Sequence, residues 1–295
     1  MQRFTFDDRP SLVEVIVPDG YGQEAALQLL DSYGSVRHEA LEAAPEVTGP
    51  RIDAYVGRVI GALRQVAGRY SPAVRNVDRS MFRVVEPRRF EEAVGCSHTA
   101  GRNMNWRVYV KGCTDLSDNE QLIHGLIYAL AHEAVHLAAG RRLTVEEGDR
   151  RGLRFRLEQG LSFYEDGMLY CSAFDEGMTD IIARDVAVET VRGFGLPSEM
   201  EEVVVASLLM TLSLPALFVH AAFGAWAARL GKGDGFFERS LAAARLDYFR
   251  CGSDILAALR TGVPEVYGLV ALTGDAPEAV ESAARSCREI AGYEH

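Results

Sequence analysis

His132, Glu133 and His136 stand in Ala129-Leu130-Ala131-His132-Glu133-Ala134-Val135-His136-Leu137-Ala138, an H-E-x-x-H spacing inside an otherwise uncharged stretch. Histidines four apart occupy one face of a helix, one turn above the other, and can share a metal ion. Glu133 lies beside them, placed to take a proton from a water activated at that metal. Half of a zinc hydrolase site would thus sit on one helix.

A third protein ligand decides the kind of site. The metzincin pattern needs a glycine and then a histidine shortly after the second histidine, and Ala139 and Arg142 occupy those positions. A deformylase-like site needs an upstream cysteine, but Lys111-Gly112-Cys113-Thr114-Asp115 lacks the surrounding motif. Downstream, Phe174-Asp175-Glu176-Gly177-Met178-Thr179-Asp180 offers a better candidate. Glu176 and Asp180 are four apart and face the same way on a helix. Glu176 can bind Zn2+ while Asp180 hydrogen-bonds the far nitrogen of a ligand histidine, His132 by preference, and fixes its tautomer. Two histidines, one glutamate and a water make a catalytic zinc arrangement with an open fourth position.

On His132, Glu133 and His136, with Glu176, Gly177, Thr179 and Asp180, the chain resembles the gluzincins, the thermolysin-like branch of the zincin metallopeptidases. It is most similar to bacterial zincin-like proteins that pair H-E-x-x-H with E-G-x-T-D or E-G-x-T-E. The resemblance covers residues 105 to 185. It implies a zincin-like fold, a zinc cofactor and a peptide or protein substrate. It also implies a further donor for the reaction's oxyanion, often supplied by the C-terminal lobe, for which His220, Tyr248 and Tyr170 are the candidates.

The surrounding residues must build helices to position these groups. Ser117 and Glu120 form a capping box, with Asp118 near the positive end of the helix dipole. Leu122, Ile123, Leu126, Ile127, Leu130 and Val135 follow at helical spacing, and Gly140 with Arg141 and Arg142 reads as a C-terminus. These signals predict a helix over 118–139. His124 lies two turns before His132 and reads as a packed or rim residue. Leu153, Phe155 and Leu157 alternate with charged residues, and Asp166-Gly167 between two short apolar runs predicts a hairpin. Residues 105–111 alternate as a strand that fits either the rim of the cleft, where an extended peptide would pair, or an internal position. Strands are also expected at 12–17 and 81–85, and helices at 23–33, 51–70 and 88–94.

The C-terminal half reads as helices over 201–230, 236–249, 255–260, 264–272 and 277–290, punctuated by glycines. Within it, Val203 to Ala228 carries no charged residue, a length that could span a bilayer. Pro215 in its middle, diluted by Ser207, Thr211, Ser213, His220 and Gly224, predicts two buried helices joined near Pro215 instead. The fold class is therefore α+β: a zincin-like lobe with a small mixed sheet and the active-site helix over 1–140, then a hairpin, the glutamate helix and a helical lobe over 141–295.

A net charge of −11 argues against a nucleic-acid partner. Five scattered cysteines (Cys96, Cys113, Cys171, Cys251 and Cys287), with no C-x-x-C pair, read as reduced thiols. Cys96, His98 and Cys113 match no zinc spacing. Asp7, Asp8 and Arg9 interrupt any apolar leader, so the expected location is the cytoplasm. Lysine supplies only Lys111 and Lys232 of the 31 basic residues, a bias that looks like GC-rich bacterial coding. The function expected is that of a zinc-dependent metallopeptidase. The alternative is a zincin-fold binding or regulatory module with little or no peptidase activity.

Overall fold

The computed structural model describes residues 1–34, 39–95, 101–104, 106–112, 121–147, 153–210, 212–250 and 252–292. Its chain opens with an antiparallel pair, β1 (Gln2–Phe6) and β2 (Val13–Val17). Val13, Val15 and Val17 are fully buried while Glu14 and Ile16 are only partly so, the alternation of a strand with one face on a core. Ala26 and Leu30 of α1 (Gln23–Gly34) cover that face.

Next come α2 (Glu39–Ala43), α3 (Pro50–Ala67), β3 (Phe82–Val85), α4 (Pro87–Val94), β4 (Gly101–Met104) and β5 (Arg107–Lys111). The three strands form a sheet in the order β3-β5-β4, parallel between β3 and β5 and antiparallel between β5 and β4. Residues 107–111 are thus the middle strand. Of the two positions open to this segment, the internal one is observed. Its burial explains the placement, because Val108 and Val110 face the main core while Tyr109 packs with Phe90 of α4 on the other side. The edge that borders the cleft is β4, whose Gly-Arg-Asn-Met sequence holds no strong β-former.

The motif helix follows. Residues Gln121–Ile127 form a π-helical stretch that continues directly into α5 (Tyr128–Ala138). The capping box expected at Ser117 and Glu120 lies outside the described residues, as do Cys96, His98 and Cys113. Ala139 leaves the helix with ψ 136°, and the Gly140 N–H donates to the carbonyl of Tyr248 at 2.9 Å. Arg141 and Arg142 do not end the helix. They open a strand, β6 (Arg141–Glu147), in which Arg141 lies 4.0 Å over the Trp106 ring and Arg142 pairs with Glu14 and Glu158. An aromatic face attracts a guanidinium, which helps an arginine take a core-facing strand position.

The expected hairpin is present as β7 (Leu153–Gln159), β8 (Ser162–Glu165) and β9 (Met168–Tyr170). Asp166 and Gly167 turn the chain between β8 and β9 with φ of 49° and 84°, the positive pair a tight hairpin turn requires. With β1 and β2 these strands complete a six-stranded sheet, β1-β2-β6-β7-β8-β9, in which β2 and β6 run parallel. That pairing crosses residue 140, the boundary expected between two halves, and one apolar core runs from Ile52 to Cys287.

The remaining chain is helical: α6 (Ser172–Arg192), α7 (Ser198–Met210), α8 (Leu214–Arg229), α9 (Asp234–Arg250), α10 (Asp254–Gly262), α11 (Pro264–Leu272) and α12 (Pro277–Ala291). α6 is central and buried nearly all round, in contact with α3, α5 and α8. The uncharged 203–228 segment is divided between α7 and α8, bent by 67°. Ser213 caps α8, accepting from the Ala216 N–H at 3.2 Å, and Pro215 sits in its first turn where no N–H is needed. α8 is buried as expected, but α7 is not: among its residues Leu208 alone is buried, and Val203 and Met210 are 70% and 84% exposed. Among the described residues no single helix is long and apolar enough to cross a membrane, although the bent pair together passes that test by length and composition.

Candidate metal centre

α5 and α6 pack side by side, and three ligating atoms meet between them. His132 Nε2 and His136 Nε2 are 3.2 Å apart, and each is 3.3 Å from a carboxylate oxygen of Glu176. The two contacts reach different oxygens of Glu176, Oε2 from His132 and Oε1 from His136, so the carboxylate straddles the two rings, and one ligand atom from each residue lies within 4.8 Å of the others. His132, His136 and Glu176 could therefore hold a metal ion between them.

Electrostatics point the same way. Burial favours the neutral imidazole at His132, but Asp180, Glu176 and Glu133 outweigh it and hold its pKa well above 6.5. His136 is raised too, Glu176 prevailing over burial. Burial alone would raise Glu176, yet His136 and His132 bring it far below the ordinary carboxylate value. The cluster thus favours positive charge at the ligand atoms, which a proton or a metal cation can supply.

Asp180 supports the first histidine as expected. Its Oδ1 accepts from His132 Nδ1 at 2.8 Å and from the Tyr128 hydroxyl at 3.1 Å, and its Oδ2 accepts from the Ser213 hydroxyl. These donors, with the charge of His132, overcome burial and keep Asp180 ionised. Tyr128 and Ser213 were not anticipated. Tyr128 carried a usable signal, because it lies four residues before His132 on the same face. Ser213 is 33 residues from Asp180 and carried none. Its approach depends on Gly177, where a Cβ would stand 2.2 Å from the carbonyl oxygen of Pro215. The glycine of the E-G-x-T-D motif is therefore where α8 reaches α6.

The three atoms open onto a cleft of about 630 Å³ lined also by Gly101, Arg102, Gly125, Tyr128, Gln159, Pro215 and Asp275. Glu133 lines it as well, 8% exposed, and burial raises its carboxyl above the ordinary value against the pull of the two histidines. β4 approaches so closely that a Cβ on Gly101 would lie 2.3 Å from Glu133 Cγ. The hairpin contributes Gln159, whose amide donates to the His136 carbonyl at 3.4 Å.

None of the three expected oxyanion donors lines this cleft. Tyr170 stacks on Phe163 with ring centroids 4.8 Å apart, and His220 stacks on Phe237 at 5.2 Å. Burial, then Arg184, lowers the His220 pKa. Tyr248 is fully buried behind His136, with its hydroxyl 3.5 Å from Nδ1, on the ring nitrogen that faces away from Glu176. The side chain of His124 lies outside the described residues. Comparison of the chain with protein-family models, with curated proteins and with solved structures returns no match to any of them.

Proposed function

We propose that the protein is a zinc-dependent hydrolase of the gluzincin type and that it cleaves peptide bonds. The observation that carries this reading is the convergence of the His132 and His136 imidazoles and the Glu176 carboxylate on one point, beside a buried glutamate that is not needed as a ligand. Two imidazoles and one carboxylate are a donor set suited to zinc with a position left open. Zinc held there would act as a Lewis acid, making a water nucleophilic near neutral pH and polarising the scissile carbonyl.

The rest of the chemistry belongs to the chain. Glu133 takes a proton from the attacking water and returns it to the leaving amine nitrogen as the C–N bond breaks. Its burial raises its proton affinity above that of an ordinary carboxylate, which makes it a better acceptor for the water proton. Asp180 keeps the His132 Nε2 lone pair turned to the ligand cluster. Among the described residues β4 is the edge strand of its sheet, and its outer backbone groups offer an extended peptide a place to pair beside Glu133.

Metal analysis and an unbiased peptide-library cleavage screen, run on wild type and Glu133→Gln, test this. Stoichiometric zinc in both proteins is expected, with an unchanged melting temperature and turnover in wild type only. Absence of zinc from the wild type, or equal turnover in the two proteins, would refute the reading.

A further inference from the structure

Asp180 accounts for the orientation of His132, and the reaction above leaves His136 without an equivalent. The structure places a chain of hydroxyls behind it. His136 Nδ1 lies 3.5 Å from the Tyr248 hydroxyl and 3.5 Å from that of Thr179, and these two oxygens are 2.7 Å apart. Thr179 donates to the carbonyl of Asp175 at 2.9 Å, one turn back on α6. With that proton committed, the Thr179 oxygen accepts the hydroxyl proton of Tyr248. The Tyr248 oxygen then keeps its lone pairs for an N–H at His136 Nδ1. Each proton in the series has one direction, and the series ends on a backbone acceptor.

We propose that Tyr248 and Thr179 are the positioning residues of His136, holding its Nδ1–H tautomer so that the Nε2 lone pair faces the metal position. This rests on the metal-centre reading above. Tyr248 is fixed for the task. Its ring is fully buried against Gly160, where a Cβ would come within 2.8 Å of Cε2, and its carbonyl accepts the Gly140 N–H just beyond α5. Burial, with Asp175 nearby, holds the phenol well above its ordinary pKa, so it stays a neutral hydroxyl. Thr179 is likewise completely buried. Helix α9 thereby contributes to the centre from behind, through a residue that does not line the cleft.

Competitive titration of zinc and of cobalt(II) against a chromophoric chelator, on the full chain, tests the proposal, with the visible spectrum of the cobalt protein as a second readout. Tyr248→Phe deletes the hydroxyl and keeps the ring, Thr179→Val deletes the other hydroxyl, and Thr179→Ser retains it. Tyr248→Phe and Thr179→Val should each lose about 10- to 100-fold in affinity and shift the cobalt bands, while Thr179→Ser stays near wild type. Because both hydroxyls act through one series, the double variant should lose about as much as the worse single variant. If Thr179→Val does not fold, Tyr248→Phe decides. A folded Tyr248→Phe protein with wild-type affinity and an unchanged cobalt spectrum overturns the proposal while leaving the metal centre standing. A wild-type chain that takes up neither metal overturns the centre and the proposal together.

Discussion

Gly101→Ala should separate the base from the metal more cleanly than any change to a charged residue. A Cβ at this position would stand 2.3 Å from Glu133 Cγ, 2.7 Å from Oε1 and 2.8 Å from Cδ. Ordinary van der Waals contact begins near 3.4 Å, so the glutamate must retreat by about 1 Å. The atoms displaced belong to a side chain with three rotatable bonds, and no backbone atom stands nearer. The cost in stability should therefore be small, below about 1.5 kcal/mol. A misplacement of about 1 Å at a reacting group can cost about 100-fold in rate. His132, His136 and Glu176 are untouched, so zinc affinity should hold. Steady-state hydrolysis of a cleavable library peptide, a thermal melt and a zinc titration on the same sample measure the three quantities. Wild-type turnover in Gly101→Ala would show that Glu133 does not act from the pose it holds beside β4. A parallel loss of zinc would show that the close approach serves the ligands and not the base.

Three further outcomes follow from the same geometry. Asp180→Ala should weaken zinc binding by about 10- to 100-fold, because it frees His132 and leaves the Tyr128 and Ser213 hydroxyls without their acceptor. Asp185→Ala, which removes a 2.7 Å ion pair with Arg245, should lower the melting temperature without changing that affinity, and equal affinities in the two variants would count against Asp180. Gly177→Ala should destabilise by about 1–3 kcal/mol despite its better helix propensity, since a Cβ would meet backbone at Pro215 and push Ser213 from Asp180; denaturant melts and zinc titration check this. In the metal-free protein, burial raises the Asp175 carboxyl from 3.8 to about 7. Its folded pKa exceeds its unfolded one, so its contribution is complete below pH 3.8 and lost as the pH rises through about 7. Asp175→Asn should therefore gain stability relative to wild type across that window, and parallel melts that never diverge would refute the assignment.

Much of the site was legible because its spacing is local. His132 and His136 share a face of α5, and Glu176 and Asp180 share a face of α6, so four of the five central residues follow from helical periodicity. What was not legible depends on contacts between distant segments. Ser213 reaches Asp180 across 33 residues and Tyr248 reaches His136 across 112. A tyrosine near a glutamate helix reads equally well as a cleft residue or as a buried support. The fold shows the same division. The hairpin at Asp166-Gly167 announced itself through turn chemistry, whereas β4 has no β-former to mark it and β6 begins on two arginines that resemble the end of a helix. α7 and α8 are equally uncharged near their junction, and only packing distinguishes the exposed helix from the buried one.

α6 shows why the second motif has the residues it has. A helix buried nearly all round cannot carry polar side chains without partners, because each unpaired group costs about 1–3 kcal/mol. Asp175 is matched to the Leu161 N–H at 2.6 Å, Thr179 to Tyr248 and the Asp175 carbonyl, and Asp180 to three donors. Gly177 admits Pro215, and Met178 joins the core. Glu176 differs from all of them. Its carboxylate lies 3.3 Å from two imidazole nitrogens, and one of those histidines is already committed to Asp180 through its other nitrogen. Such an arrangement needs positive charge between the three ligand atoms. Two extra protons would put two imidazolium rings 4.8 Å apart, centroid to centroid, each repelling the other. A single divalent cation could draw on both imidazoles and the carboxylate at once without that repulsion, so Glu176 is the residue of α6 whose surroundings suit a metal ion.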